Sequence, residues 1–274
     1  MIRLYLIAFM LFLLSTVEAQ QFKVDTLYSG LKNPTSFLLA NDAIYIVEQG
    51  DHRILKLDLN GKLIEKYGNR GSGNYQFDSP TDIASSTGLK IFVSDPGNNR
   101  IQVFDKRWQY LSSIKGNDKF RTRDEISPEY IGVNKQGEIF FYDSRSKSIG
   151  KYDEDGAYLD QIPIPSDIKE VSGLQISESK IFILDKKSEL IHRLSENGFY
   201  ETYYALRGAT VFEFKHDTII RGFSNSKKVR VLFEGQQFSP NGIIYPSFIK
   251  DMIYDSGVFF LLVEENLISL SLSK

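Results

Sequence analysis

Four stretches of this chain superimpose without a gap, and that self-similarity restricts the fold more than any composition figure does. They run from Ile44 to Asp58 (IYIVEQGDHRILKLD), Ile91 to Asp105 (IFVSDPGNNRIQVFD), Ile139 to Asp153 (IFFYDSRSKSIGKYD) and Ile181 to Ser195 (IFILDKKSELIHRLS). Each reads as an apolar strand, an acidic residue, a polar loop and a second strand with alternating apolar positions. The acid is Glu48, Asp95, Asp143 or Asp185, and successive units are offset by 47, 48 and 42 residues. Asn60-Gly61, Asp155-Gly156 and Asn197-Gly198 follow the second strand in three units, supplying the positive φ of a tight hairpin turn. Upstream, Pro34-Thr35, Pro80-Thr81 and Pro128-Glu129 each open a further strand, so one unit carries four strands.

A fifth unit is fainter: Thr218 to Phe223, a polar loop through Lys228, then Val229 to Phe233, with the acid gone. Phe248 to Ser256, Val258 to Glu264 and Leu267 to Leu272 supply three strands of a sixth. Its missing strand is available at the other end, where Phe22 to Tyr28 alternates apolar and polar residues. A four-stranded antiparallel sheet cannot bury both faces alone, whereas sheets packed radially around an axis bury each face against the next. The expected fold is an all-β, six-bladed β-propeller of four-stranded antiparallel blades, closed by an N-terminal strand in the last blade. A period of about 43 residues suits blades better than the Greek keys of a sandwich.

Ahead of the repeats, Leu4 to Leu14 is apolar, preceded by Arg3 and followed by Val17 and Ala19 around a cleavage point. The run is shorter than the ~20 residues a membrane span needs, so residues 1–19 are expected to be a secretory signal peptide and 20–274 a single propeller domain. No second apolar stretch reaches spanning length, so no transmembrane segment is expected in the mature chain. Cysteine is absent, which excludes disulfides, thiolate nucleophiles and cysteine-held metals. An exported chain without cysteine points to a periplasmic or extracellular protein of a bacterial envelope. With 33 Lys+Arg against 35 Asp+Glu there is no basic excess, and no nucleic-acid partner is expected.

The second unit, Asp95-Pro96-Gly97-Asn98-Asn99-Arg100-Ile101-Gln102-Val103-Phe104-Asp105, resembles the NHL-repeat family of propellers. That signature is an apolar strand, Asp, a short Gly/Asn loop, Arg or Lys, Ile, and a strand ending in an aromatic residue and Asp. The first unit is similar, with Glu48, Gly50, His52, Arg53, Ile54, Leu57 and Asp58 at matching places, although Glu stands for Asp and His for Asn. The third keeps Asp143, Ile149, Tyr152 and Asp153 but has Ser148 at the basic position; the fourth keeps Asp185 and Ile191. WD40 and kelch patterns fit worse, because the single tryptophan, Trp108, is in no Trp-Asp pair and no Gly-Gly pair occurs. The resemblance implies the fold more firmly than an activity, since such propellers include binding modules, lyases and lactonase-like relatives.

Glu48, Arg53, Asp95, Asn98, Arg100, Asp143 and Asp185 recur with the repeat and are read as loop-building residues: the acid accepts turn amides and pairs with the following Arg. Binding is expected on the rim formed by loops between the second and third strands and between blades, because variable loops on a rigid scaffold are the usual recognition surface. There, Arg70, Tyr75, Lys119, Phe120, Arg121, Arg123, Arg145 and Lys187 are candidate contacts for a protein or glycan partner, with Tyr67, Tyr75 and Phe120 as stacking platforms for sugars. The expected function is a non-catalytic binding or scaffold module without a cofactor. The alternative is a metal-dependent hydrolase or lyase, lactonase-like, with Asn33, Asp82, Glu129 and Glu170 facing a divalent ion such as calcium in the central channel. His52, His192 and His216 occupy unlike positions in their units, against a three-histidine site.

Overall fold

The structure, a computed structural model, describes residues 22–85, 87–116, 125–206, 208–215, 218–225, 228–233, 236–238 and 249–272. The expected signal peptide therefore lies outside the described residues, as do Lys119, Phe120, Arg121, Arg123 and His216.

The fold is an all-β propeller whose blades are four-stranded antiparallel sheets. After β1 (Phe22–Ser29), the first blade comprises β2 (Pro34–Ala40), β3 (Ala43–Glu48), β4 (Arg53–Asp58) and β5 (Leu63–Tyr67). The second has β6 (Asp82–Ala84), β7 (Lys90–Asp95), β8 (Arg100–Asp105) and β9 (Tyr110–Ile114). The third has β10 (Pro128–Val133), β11 (Ile139–Asp143), β12 (Ser148–Tyr152) and β13 (Tyr158–Pro163). The fourth has β14 (Gly173–Ser177), β15 (Lys180–Asp185), β16 (Leu190–Ser195) and β17 (Tyr200–Ala205). A fifth sheet, β18 (Val211–Lys215), β19 (Thr218–Asn225), β20 (Lys228–Phe233) and β21 (Gln236–Phe238), ends in a strand of three residues. In the last sheet β22 (Ile249–Asp255), β23 (Val258–Val263) and β24 (Asn266–Leu272) are joined by β1, in the order β1-β24-β23-β22.

The two ends of the described chain meet antiparallel, with Phe22 opposite Leu272 and Ser29 opposite Asn266. The apolar core is divided among clusters between neighbouring sheets, as radial packing requires. One lies between the first and second blades (Tyr45, Val47, Val93, Phe104) and another between the second and third (Phe92, Ile101, Ile139, Phe141). A further cluster joins the last sheet to the first through Leu262, Leu267, Ile44 and Leu55.

Hairpin turns between third and fourth strands reach back onto the outer strand of the preceding blade. A Cβ on Gly156 would lie 3.0 Å from Ile114 of β9, and one on Gly198 would lie 2.5 Å from Ile162 of β13. Gly61, at φ +85°, sits in the same way against Leu27 of β1, where a Cβ would be 2.1 Å from the carbonyl oxygen. So β1 occupies, relative to the first blade, the place that β9 and β13 occupy relative to the third and fourth.

Candidate functional site: the channel wall and the loop rim

The repeated acid has one architectural task. Glu48 Oε1 accepts the amide of Lys32, Asp95 Oδ1 that of Asp78 at 2.7 Å, Asp143 Oδ1 that of Ser127 at 2.8 Å and Asp185 Oδ2 that of Lys169 at 2.8 Å. All four carboxylates are buried, and each ties the end of a second strand to the connection that enters its own blade. The remaining oxygen serves the local loop. Glu48 pairs with Arg53; Asp95 accepts Asn98 and Arg100, both at 2.9 Å; Asp143 accepts the Ser146 hydroxyl; Asp185 accepts the Ser188 amide. Burial raises the Asp95 carboxyl above the usual carboxylate range despite Arg100. At Asp185 burial acts in the same direction, but the amides of Lys169 and Ser188 outweigh it and the group titrates lower than usual.

Arg100 is the most connected of these residues. Besides Asp95, its guanidinium donates to the carbonyls of Ser72, Gly73 and Gln76 at 2.8–3.0 Å, while Asn98 donates to Gly71 O and Gln102 to Gln76 O. The connection from first to second blade is thus a rigid arch clamped by five side-chain donations to its backbone oxygens. It carries Arg70 outward, with 76% of the side chain exposed and its guanidinium 3.6 Å from Asp78. Tyr75 has a different role: its ring packs against Phe104 and Tyr110, and its hydroxyl accepts the Tyr110 amide at 2.9 Å. Tyr67 stacks on Trp108 at 4.5 Å and donates its hydroxyl to Glu65. One face of the Tyr67 ring, expected as a sugar platform, is thus taken by Trp108. Arg145 pairs with Glu125 at 3.1 Å and reaches Asn99, and Lys187 is exposed. The structure does not gather Arg70, Arg145 and Lys187 into one cluster; they stand on connections of different blades.

The six innermost strands line a central cavity of about 1190 Å³. Four side chains in its wall, absent from any sequence motif, stitch one inner strand to the next. Asp82 Oδ2 accepts the amide of Ile131 and Asp251 Oδ2 that of Phe37, at 2.8 and 2.9 Å. Gln175 Oε1 accepts the amide of Phe214 at 2.7 Å, and Glu213 Oε2 accepts that of Tyr254. Ser36 favours the ionised forms of both Asp82 and Asp251, carboxyls of the second and last sheets. Burial pushes Asp82 up to about 6, Asp251 to about 7 and Glu213 to about 8, their amide bonds offsetting part of the effect.

Three of the four metal candidates have protein partners. The other oxygen of Asp82 accepts the Ile83 amide, Asn33 accepts the Lys250 ammonium at 3.0 Å and Glu170 accepts the Ser172 hydroxyl. Glu129 lines the channel, while Glu170 lies in the connection before β14. A lysine ammonium at Asn33 and amide donors on both oxygens of Asp82 do not suit a divalent cation. Among the described residues no group of three or more His, Asp or Glu side chains is placed to hold a metal. His52 Nδ1 accepts the Ser79 amide at 2.9 Å; His192 is buried in β16 beside Tyr200 and Asp185, and burial lowers its pKa.

Comparison with known proteins agrees with this architecture. Residues 77–104, which hold the β7–β8 hairpin and the side chains of Asn98, Arg100 and Gln102 that clamp the arch, match the NHL repeat. The chain is a β-propeller that carries an NHL repeat. A stretch of 67 residues is 37% identical to NHL repeat-containing protein 3 of Homo sapiens, covering 23% of this chain and 19% of that protein. Among solved structures, a virginiamycin B lyase from Staphylococcus aureus superimposes with a TM-score of 0.69 at 13% identity, over 92% of this chain and 100% of that one. A gluconolactonase from Xanthomonas campestris does so with 0.67 at 16% identity, over 94% and 93%. At such identities the likeness is one of fold. Among the described residues no helix is long and apolar enough to cross a membrane.

Proposed function

We propose that this chain is an exported, non-catalytic binding propeller, closed as six blades by its N-terminal strand, that recognises a protein or glycan partner through its loop rim. The observation that carries this reading is the engagement of the channel acids: Asp82, Asp251 and Glu213 hold neighbouring strands together through backbone amides. Meanwhile the rim presents Arg70, Arg145 and Lys187 on connections held from beneath by buried acids. A periplasmic or extracellular location follows from the leader-like start of the sequence, and the N-terminus of the exported protein, read by mass spectrometry, is expected at Gln20.

The rim reading is tested by capture from envelope extract and on a glycan array, comparing the wild type with an Arg70→Ala, Arg145→Ala, Lys187→Ala variant. Reduced capture at unchanged thermal stability is the expected result; undiminished capture removes the rim. The cavity and the fold likeness to a lyase and a lactonase favour a metal-dependent hydrolase or lyase as the second reading. Elemental analysis of purified protein separates the two, since one tightly held divalent ion per chain would support the enzyme.

A further inference from the structure

Gln175 and Glu213 stand at matching positions of consecutive inner strands: each lies two residues beyond the β14 or β18 residue, Gly173 or Val211, that faces the second strand near its end. Each reaches the next blade. Gln175 grips both backbone groups of Phe214 of β18, accepting its amide at 2.7 Å and donating to its carbonyl at 3.3 Å. Glu213 accepts the amide of Tyr254 of β22, but the Tyr254 carbonyl is taken by the Lys215 ammonium. One seam is thus closed by a neutral amide and the next by an ionisable carboxyl.

We propose that the last sheet, the one in which β1 pairs with β24, is docked through a proton-dependent latch at Glu213, whereas the preceding seam at Gln175 is indifferent to pH.

The surroundings of Glu213 explain why it needs its proton. Its side chain is buried, and the charges of Asp251 and Asp255 on β22 raise it further while that of Lys215 lowers it. The cation on its own strand, Lys215, is committed to Asp255 at 3.1 Å and to the Tyr254 carbonyl. From β14 comes only the uncharged segment GLQIS, and Arg221 of β19 is paired with Phe212, on the opposite face of the sheet from Glu213. Neutral, the carboxyl resembles Gln175 and the seam stays closed. Ionised, it is a buried charge beside another acid, and separation of β22 from β18 lets water reach it. Burial places this change at about 8, well above an ordinary glutamate, so the latch holds at low pH and weakens as pH rises toward that value. Asp251 supplies a second proton-linked contact on the other side of β22, through Phe37 of β2. This inference is independent of the binding reading.

Hydrogen exchange on the intact protein between about pH 5.5 and 8.5, corrected for intrinsic chemistry, tests it. Amides of Ile249–Asp255 are expected to lose protection roughly tenfold per pH unit for each proton released, while those of Gly173–Ser177 keep theirs. Glu213→Gln, which copies the neighbouring seam, is expected to reduce the slope in β22 without weakening it at low pH. Equal pH behaviour of the two strands in the wild type, or an undiminished slope in the variant, overturns the proposal. Should Glu213→Gln not fold, Asp251→Asn, which removes the other proton-linked contact of β22, is expected to keep a slope there, and loss of the slope overturns the proposal.

Discussion

Trp108 lies flat on Phe104, ring planes 3° apart and centroids separated by 4.5 Å, although its backbone is left-handed at φ +63°. The corresponding turns of the first, third and fourth blades place Gly61, Gly156 and Gly198 there, at φ +81° to +85°. The second blade accepts the unfavourable backbone because the indole fills the seam with the first blade, stacking on Tyr67 and Tyr45 as well.

Trp108→Gly is accordingly expected to relax the turn yet destabilise the protein by about 2–4 kcal/mol, since loss of a buried aromatic exceeds the backbone gain. Urea unfolding measures this. In the wild type the single, buried tryptophan makes blue-shifted emission a direct report on that seam.

Arg100→Ala leaves Asp95 buried without its guanidinium and frees three carbonyls of the arch. A loss of about 3–5 kcal/mol is expected, together with proteolytic cleavage within residues 69–78. Arg53→Ala, whose arginine is partly exposed, is expected to cost less. Equal losses would contradict the clamp.

Gly61→Ala and Gly257→Ala separate strain from collision. Both residues have φ near +85°, but a Cβ on Gly257 meets nothing within 4 Å, whereas one on Gly61 strikes the Leu27 backbone. Gly257→Ala should cost about 1 kcal/mol and Gly61→Ala about 2–4 kcal/mol. Limited proteolysis of Gly61→Ala should release β1 first.

Thermal stability should be greatest at mildly acidic pH. Asp82, Asp251 and Glu213 bind protons more tightly folded than unfolded, so their contribution is complete below the ordinary carboxylate range and declines as pH rises through about 6, 7 and 8. Asp185, held lower than usual, opposes this on the acid side: its contribution is present above the ordinary value and lost as pH falls. Calorimetry in pH steps should find a melting temperature that falls from about pH 5.5 to 8.5; a continuous rise would contradict it.

The repeat made the blades legible in advance, since strand alternation, turn dipeptides and the recurring acid are local patterns repeated in register. Glu48, Asp95, Asp143 and Asp185 could be assigned to loop building for that reason, and Phe22 to Tyr28 could be matched to the sheet that lacked a strand. The packing of Tyr67 and Tyr75 could not be read so: an aromatic in a polar loop has the same sequence appearance whether both ring faces are free or, as here, one side lies against Trp108 or Phe104, Tyr75 staying partly exposed.

Sequence alone settled what each blade is made of, because hydrophobic period and turn chemistry act within a few residues. Tertiary structure decided how blades hold one another: Asp82, Gln175, Glu213 and Asp251 bond to amides 39 or more residues away in the chain, on strands brought alongside by the packing of one sheet against another. That these residues bond across a seam is not written in their identity, since each contact depends on the angle between two sheets and on how much water their packing removes.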